Sequence, residues 1–236
     1  MTDPVTPSVF ARVSTASLTA QLIKRGLRTR AISNIAPVNP ATPRVHGPAY
    51  TLRYIPMRED LGTGASMASP ANPQRMAIEV APPGSVIVAD TRGMDASGTF
   101  GDILVARLRV RGVAGIVSDG PMRDISELGR MDFPVFATGN AAPPSYGSML
   151  AVDAQVPIGC GGVAVFPGDI VVGDADGVVI LPAAIAEEVA RDALEQDLIE
   201  AWIRQRIEAG ESIVGVYPPN EDTRARYEAW RQTQPG

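Results

Sequence analysis

Between Val86 and Ala137 the chain alternates twice between short apolar runs and segments of helical period. The run Val86–Ala89 is a buried strand, and GDILVARLRVRG (Gly101–Gly112) spaces Ile103, Leu104 and Leu108 as a helix does. VAGIVSDG returns to a strand of small apolar residues that ends at Asp119-Gly120. PMRDISELGRM reads as a helix entered at Pro121, and FPVFATG is a further buried strand. Strand, helix, strand, helix, strand predicts an α/β fold, with a mixed or parallel sheet and helices packed against it.

The flanks extend this pattern. Val13–Arg28 reads as a helix capped by Ser14 or Thr15, with Leu18, Leu22 and Ile23 as its apolar stripe and Gly26 at its end. A Pro-rich loop containing PRVHGPAY leads into a half-buried strand, YTLRYIPM, and Leu61–Arg75 reads as a polar loop. Residues Asp153–Pro182 alternate Val and Ile runs with close-spaced turns, the pattern of several short strands. Ala183–Ala209 is a long charged helix closed by Gly210, followed by a tail poor in apolar residues that is expected to pack on a neighbouring molecule. The expectation is one α/β domain over residues 1–236, with a core of about 14–182 and a C-terminal helix and arm over 183–236.

Composition narrows the chemistry. With aromatics at 5% of 236 residues, the core must be built from Val, Ile, Leu and Ala. A net charge of −5 argues against a nucleic-acid binder working through a general basic field. No apolar run approaches the ~20 residues of a membrane span, and MTDPVTPSVF lacks the pattern of a secretory leader. A cytoplasmic protein, with neither membrane nor nucleic acid as partner, is the expectation. His46 is the only histidine, Cys160 the only cysteine and Lys24 the only lysine. Lys24 lies in the cationic segment KRGLRTR, a poor setting for an imine-forming amine. A hydroxyl or thiol triad would have to use His46, and no G-x-S-x-G elbow is present. Histidine and cysteine are too few for a zinc site of that type. An enzyme built from this chain must work with carboxylates, arginines and backbone amides, with or without a hard metal ion.

Three features converge between Asp90 and Asp124: strand ends at Asp90 and Asp119, and helix starts at Gly101-Asp102 and near Arg123-Asp124. Ligands of such sheets collect beyond the carboxyl ends of the strands, where helix N-termini offer free N–H groups. Amides from Gly101 onward could take a carboxylate, Arg123 a second oxyanion, and Asp102 and Asp124 a divalent cation such as Mg²⁺ or Mn²⁺. Taken one at a time, the same aspartates also read as helix caps, and Arg123 as half of a surface pair.

The stretch GDILVARLRVRGVAGIVSDGPMRD resembles the signature of the RraA-like family, in which Asp, twenty residues and Arg-Asp recur; here these are Asp102, residues 103–122, Arg123 and Asp124. Similarity runs from STASLTAQL through GPAYTLR, GSVIVAD and GDADGVVILP, about residues 14–210. The family includes class II 4-hydroxy-4-methyl-2-oxoglutarate/4-carboxy-4-hydroxy-2-oxoadipate aldolases.

The resemblance implies an α/β/β/α sandwich of the swivelling β/β/α type, with N- and C-terminal helical arms, assembled as trimers or hexamers with sites between subunits. It implies that Asp124 ligates Mg²⁺ or Mn²⁺, that Asp102 holds a water of its shell, and that Arg123 binds the keto or enolate oxygen of a pyruvate unit. Amides of Gly101, Asp102, Ile103 and Leu104 would bind the pyruvate carboxylate. Where family aldolases carry Asn after Gly-Asp, this chain has Ile103, which leaves the amides but no side-chain donor. A glutamate from a neighbour's C-terminal helix would complete the site; Glu200 is the best match and Glu195 the fallback. The implied activity is metal-dependent cleavage of a 4-hydroxy-2-oxo acid to pyruvate, or decarboxylation of oxaloacetate. An RNase-binding regulator, or another 2-keto-acid or sugar-acid enzyme on the same scaffold, is the alternative. The segment Leu61–Arg75 and the tail would read the distal half of the substrate.

Overall fold

The computed structural model describes residues 8–234, so most of the leader reading of the first ten residues lies outside the described residues. The chain runs α1 (Thr15–Lys24), β1 (Ala31–Ile32), β2 (Ala36–Pro37), β3 (Val45–Pro56), α2 (Gly64–Ala68), α3 (Pro73–Val80) and β4 (Val86–Asp90). It continues through α4 (Asp102–Val110), β5 (Gly115–Ser118), α5 (Ile125–Leu128), β6 (Val135–Ala137) and β7 (Met149–Ala154). The last elements are β8 (Ile158–Cys160), β9 (Val163–Val165), β10 (Ile170–Asp174), β11 (Gly177–Leu181), α6 (Ala186–Glu208) and α7 (Glu221–Gln232).

The strands order as β1-β11-β10-β3-β4-β5-β6-β2, with β7 also on β3 and β8-β9 as a separate hairpin. β3, β4, β5 and β6 are parallel, while β10 and β11 are antiparallel additions. β3 joins the two parts: Val45–Pro48 pair with β10, and Ala49–Arg53 pair with β4. Gly47 permits this junction, because its φ of 155° is closed to most side chains and a Cβ there would strike the Gly84 carbonyl.

Strand alternation sorts side chains into layers. On β4, Ile87 and Ala89 pack with Ala77 and Ile78 of α3 and Val105 and Leu108 of α4, while Val86 and Val88 face the opposite way, toward Val163, Val165, Val171 and Ile180. On β10 and β11, Val172, Val179 and Leu181 face away again, toward Leu18 and Leu22 of α1 and Val189 and Ala193 of α6. The order is helix, sheet, sheet, helix, which is the expected α/β/β/α sandwich.

Carboxylates pin α1 at its start. Ser14 caps the helix through the Ser17 amide at 3.1 Å, and Asp197 of α6 accepts from the Ser14 amide at 2.8 Å and the Ser17 hydroxyl at 2.6 Å. Buried Asp174 accepts from the Thr15 amide at 2.8 Å and its hydroxyl at 2.6 Å.

Several sequence expectations are corrected. Ile23 is 54% exposed, so the α1 stripe is Leu18 and Leu22. His46 lies in β3 opposite Val172, because strand pairing supplies the backbone partners that the Pro- and Gly-rich sequence alone did not suggest. Leu61–Arg75 holds α2 and the start of α3, where Asn72 caps and Pro73 occupies the first turn. In α4 it is Val105 and Leu108 that are buried, while Ile103 is 77% exposed. The helix expected from Pro121 begins only at Ile125, since the backbone of residues 121–123 is hydrogen-bonded sideways. The tail folds back on its own chain: Val216 and Tyr227 close over Ile199, Trp202 and Ile203 of α6.

The clamp on α1 sets a measurable cost. Asp174→Ala leaves the Thr15 donors without their charged acceptor and should destabilise the fold by about 2–3 kcal/mol, read as a lower urea midpoint at unchanged slope.

Candidate active site

The site is built where two loops run side by side beyond β4 and β5. The Thr99 amide donates to the Pro121 carbonyl and the Arg123 amide to the Phe100 carbonyl, both at 2.8 Å. On the other side, the Met122 amide donates to Gly139 at 2.9 Å and the Ala141 amide to Met122 at 3.0 Å. The strip 121–123 is thus held between the 98–100 and 139–141 segments. At position 98 glycine is required for this approach, because backbone stands in the way of a Cβ. A Cβ at Gly98 would lie 2.8 Å from the Arg123 nitrogen, and one at Gly101 would collide with Asp124 Oδ2. The strip ends at Asp124 with φ 55° and ψ 38°, a left-handed conformation that costs a non-glycine residue roughly 1 kcal/mol and that Asp tolerates better than most.

This geometry brings together six of the seven expected site residues, all but Glu200. Asp102 opens α4 behind Gly101, and its Oδ1 accepts from the Ile103 amide at 2.7 Å. Asp124 does not cap α5; its Oδ2 lies 3.4 Å from the Asp102 amide. Two of the four amides expected to receive a substrate carboxylate therefore face protein carboxylates, while Leu104 contributes to the cleft wall. The Arg123 side chain is oriented by its Nε donating to the Ala142 carbonyl at 3.1 Å. It stands between two clefts. One, of about 320 Å³, is lined by Gly98, Gly101, Leu104 and Arg75; the other, of about 500 Å³, by Asp102, Asp124 and Asn140.

Among the described residues no three His, Cys, Asp or Glu side chains converge as a metal-binding group. Asp102 and Asp124 form a pair of oxygen donors at an open cleft, and Asp124 is exposed and uncapped. Such a set fits a hard cation that keeps most of its waters, Mg²⁺ or Mn²⁺, and does not suit Zn²⁺. Glu200 lies elsewhere in the chain. It accepts from Gln196 at 2.9 Å in a groove shared with Lys24, Tyr217 and Arg224, and Glu195 is paired with Arg231 of α7 at 2.6 Å.

Beside the site, the β4 and β5 ends are tied to β8 by buried carboxylates that the sequence marked only as strand ends. Asp119 accepts from the Thr91 amide at 2.6 Å and the Gly161 amide at 3.1 Å, and Asp90 from the Gly159 amide at 3.2 Å. Burial pushes the Asp90 carboxyl above the usual carboxylate range, against the pull of its two backbone donors. It pushes the Cys160 thiol well up too, helped by the charges of Asp119 and Asp90. Burial and the neighbouring Arg44 lower His46. None of these groups reaches either cleft beside Arg123.

The family profile described as RraA-like, Aldolase/RraA, matches residues 12–180. The chain belongs to the RraA-like family. A Halalkalibacterium halodurans protein provisionally named 4-hydroxy-4-methyl-2-oxoglutarate aldolase is 35% identical over 165 residues, 70% of this chain and 72% of that protein. A crystal structure of an uncharacterized Pseudomonas syringae pv. tomato protein superposes with a TM-score of 0.76 at 28% identity, covering 92% of this chain and all of that one. Streptomyces coelicolor RraAS2, described as an unusual member of the RNase ES inhibitor RraA protein family, gives 0.73 at 33% identity over 84% of this chain and 94% of its own. The RraA-like match ends at residue 180, so α6, Glu200 and the tail lie beyond it. No helix among the described residues is long and apolar enough to cross a membrane.

Two tests address this architecture. Gly98→Ala should force the Arg123 strip aside and lower stability by about 1–3 kcal/mol in thermal unfolding. Because its pKa is raised, Cys160 should stay protonated at pH 8.5 and react with a thiol reagent only as fast as the protein opens; immediate labelling of the folded protein would contradict its burial.

Proposed function

We propose that the protein is a divalent-metal-dependent lyase that cleaves a 4-hydroxy-2-oxo acid to release pyruvate and decarboxylates oxaloacetate through the same pyruvate enolate. The observation that carries this reading is the assembly of Asp102, Arg123 and Asp124 at one helix start, with Asp124 uncapped and Arg123 free of any carboxylate ion pair among the described residues. The aldolase name of the H. halodurans relative supports the same class of chemistry.

In this mechanism the first-turn amides of α4 receive the substrate carboxylate as Asp102 and Asp124 give way. Arg123, already aimed by the Ala142 carbonyl, donates to the keto oxygen and stabilises the negative charge that gathers there as the C3–C4 bond breaks. Asp124 would hold Mg²⁺ or Mn²⁺, whose contribution is Lewis-acid polarisation of the keto group. Asp102 Oδ2, which has no hydrogen-bond partner among the described residues, takes the C4 hydroxyl proton through an ordered water, and the same relay can return a proton to C3 of the enolate. The electron pair of the broken bond passes into the enolate, which takes a proton at C3 to give pyruvate. With oxaloacetate the departing fragment is CO₂. No lysine imine is required, in keeping with Lys24 lying in a different groove. A trimer or hexamer would allow Glu200 of a neighbouring copy to add a third carboxylate.

A second reading, an RNase-binding regulator, draws on the description of the S. coelicolor relative. Such a role works through protein contact and has no need of the Asp–twenty–Arg–Asp set retained here. Pyruvate release from oxaloacetate and from 4-hydroxy-2-keto acids, with and without Mg²⁺ or Mn²⁺, separates the two. Asp124→Ala should abolish metal-dependent turnover, and Arg123→Ala should lower kcat on the order of 10²–10³-fold. Binding of an RNase with no turnover of any keto acid would favour the regulator.

A further inference from the structure

We infer that Arg75 is the specificity-determining residue of this site and grips a distal oxyanion of the substrate, an assignment that rests on the lyase reading above. The cleft of about 320 Å³ is lined by both Arg123 and Arg75, together with Met67, Gly101 and Tyr146. Among the described residues neither of these two arginines has a carboxylate partner, so no protein anion offsets their charge at the cleft. Arg75 makes one long side-chain hydrogen bond, Nε to the Met67 carbonyl at 3.4 Å, which leaves its two terminal nitrogens for a ligand. Two uncompensated guanidinium groups facing one small cleft repel each other, and an anion between them relieves that repulsion.

The position of Arg75 is tied to the strip that carries Arg123. Asn72 caps α3 by accepting from the Gln74 amide at 3.0 Å and the Arg75 amide at 3.3 Å. Buried Gln74 donates from Nε2 to the Thr99 carbonyl at 2.7 Å, and Thr99 is itself bonded to Pro121. The first turn of α3 is thereby fastened to the segment beside the Arg123 strip. A keto acid seated at Arg123 extends toward Arg75, whose planar fork suits a carboxylate or a phosphate. Arg75 is exposed, so its removal leaves the core intact.

The test compares substrates that differ only at the far end. 4-Hydroxy-2-oxoglutarate ends in a carboxylate and yields pyruvate and glyoxylate; 4-hydroxy-2-oxopentanoate ends in a methyl group and yields pyruvate and acetaldehyde. In each the C3–C4 bond breaks, the C4 hydroxyl loses its proton and C3 gains one. A third arm uses a 4-hydroxy-2-keto acid ending in phosphate, so that relative kcat/KM identifies which oxyanion the site prefers. Arg75→Ala should lose roughly 10- to 100-fold in kcat/KM on the preferred oxyanion-ended substrate, carried by KM, and leave the methyl-ended one unchanged. Arg75→Lys should recover part of that loss. Equal losses on all substrates, no loss on any, or a wild type that prefers the methyl-ended acid would overturn this role and leave the lyase reading standing. A wild type that turns over none of them, with either metal, would overturn both.

Discussion

The pair of backbone hydrogen bonds between Thr99 and Pro121 and between Arg123 and Phe100 is the contact on which the rest of the site depends. It brings two loops from neighbouring strands close enough that no Cβ fits at Gly98. Because the strip is held sideways at 121–123, the helix after β5 cannot begin until Ile125, and Asp124 is left at a left-handed corner facing the start of α4. The carboxylate that would otherwise cap a helix turns instead toward the Asp102 amide at the mouth of a cleft.

Electrostatics then divides the molecule. Arginines on the outer helices are matched to carboxylates at exposed positions, as in Arg107–Glu79 and Arg191–Glu187, where each pair adds little stability. Arg75 and Arg123 have no such match among the described residues, and both line the same cleft. Buried carboxylates are treated differently: Asp119 and Asp174 are met by backbone amides and hydroxyls, which compensate their desolvation and lock loop ends to neighbouring strands.

The long helix α6 does two jobs along its length. Val189, Ala190 and Ala193 close the outer layer of the sandwich, while Ile199, Trp202 and Ile203 pack against the tail. Trp202 meets Tyr227 edge-on with ring centroids 5.7 Å apart, and the Arg206 guanidinium lies 5.1 Å from the Trp202 ring centre. These aromatics explain how a tail with few apolar residues finds a surface within its own chain. They also leave Glu195 bound to Arg231 and Glu200 in a separate groove.

Periodicity along the sequence determined the layered α/β character of the chain, because burial on alternate sides of a strand and one face of a helix writes itself into neighbouring residues. The placement of Asp102, Arg123 and Asp124 at strand ends and helix starts was legible for the same reason, but local pattern read them equally as caps and a surface pair, and only the family resemblance singled out the set. Local pattern could not show that His46 belongs to a strand, that Ile103 faces outward, or that α5 starts late, since those outcomes depend on hydrogen bonds from residues distant in the chain. Nor could it bring Arg75 and Arg123 to one cleft. Forty-seven residues separate them, and what joins them is a side-chain bond from Gln74 to Thr99, a contact with no periodicity to betray it. Short-range burial was settled by the order of residues; the meeting of charges across loops was decided only by the tertiary fold, which alone chooses which unpaired groups share a cleft.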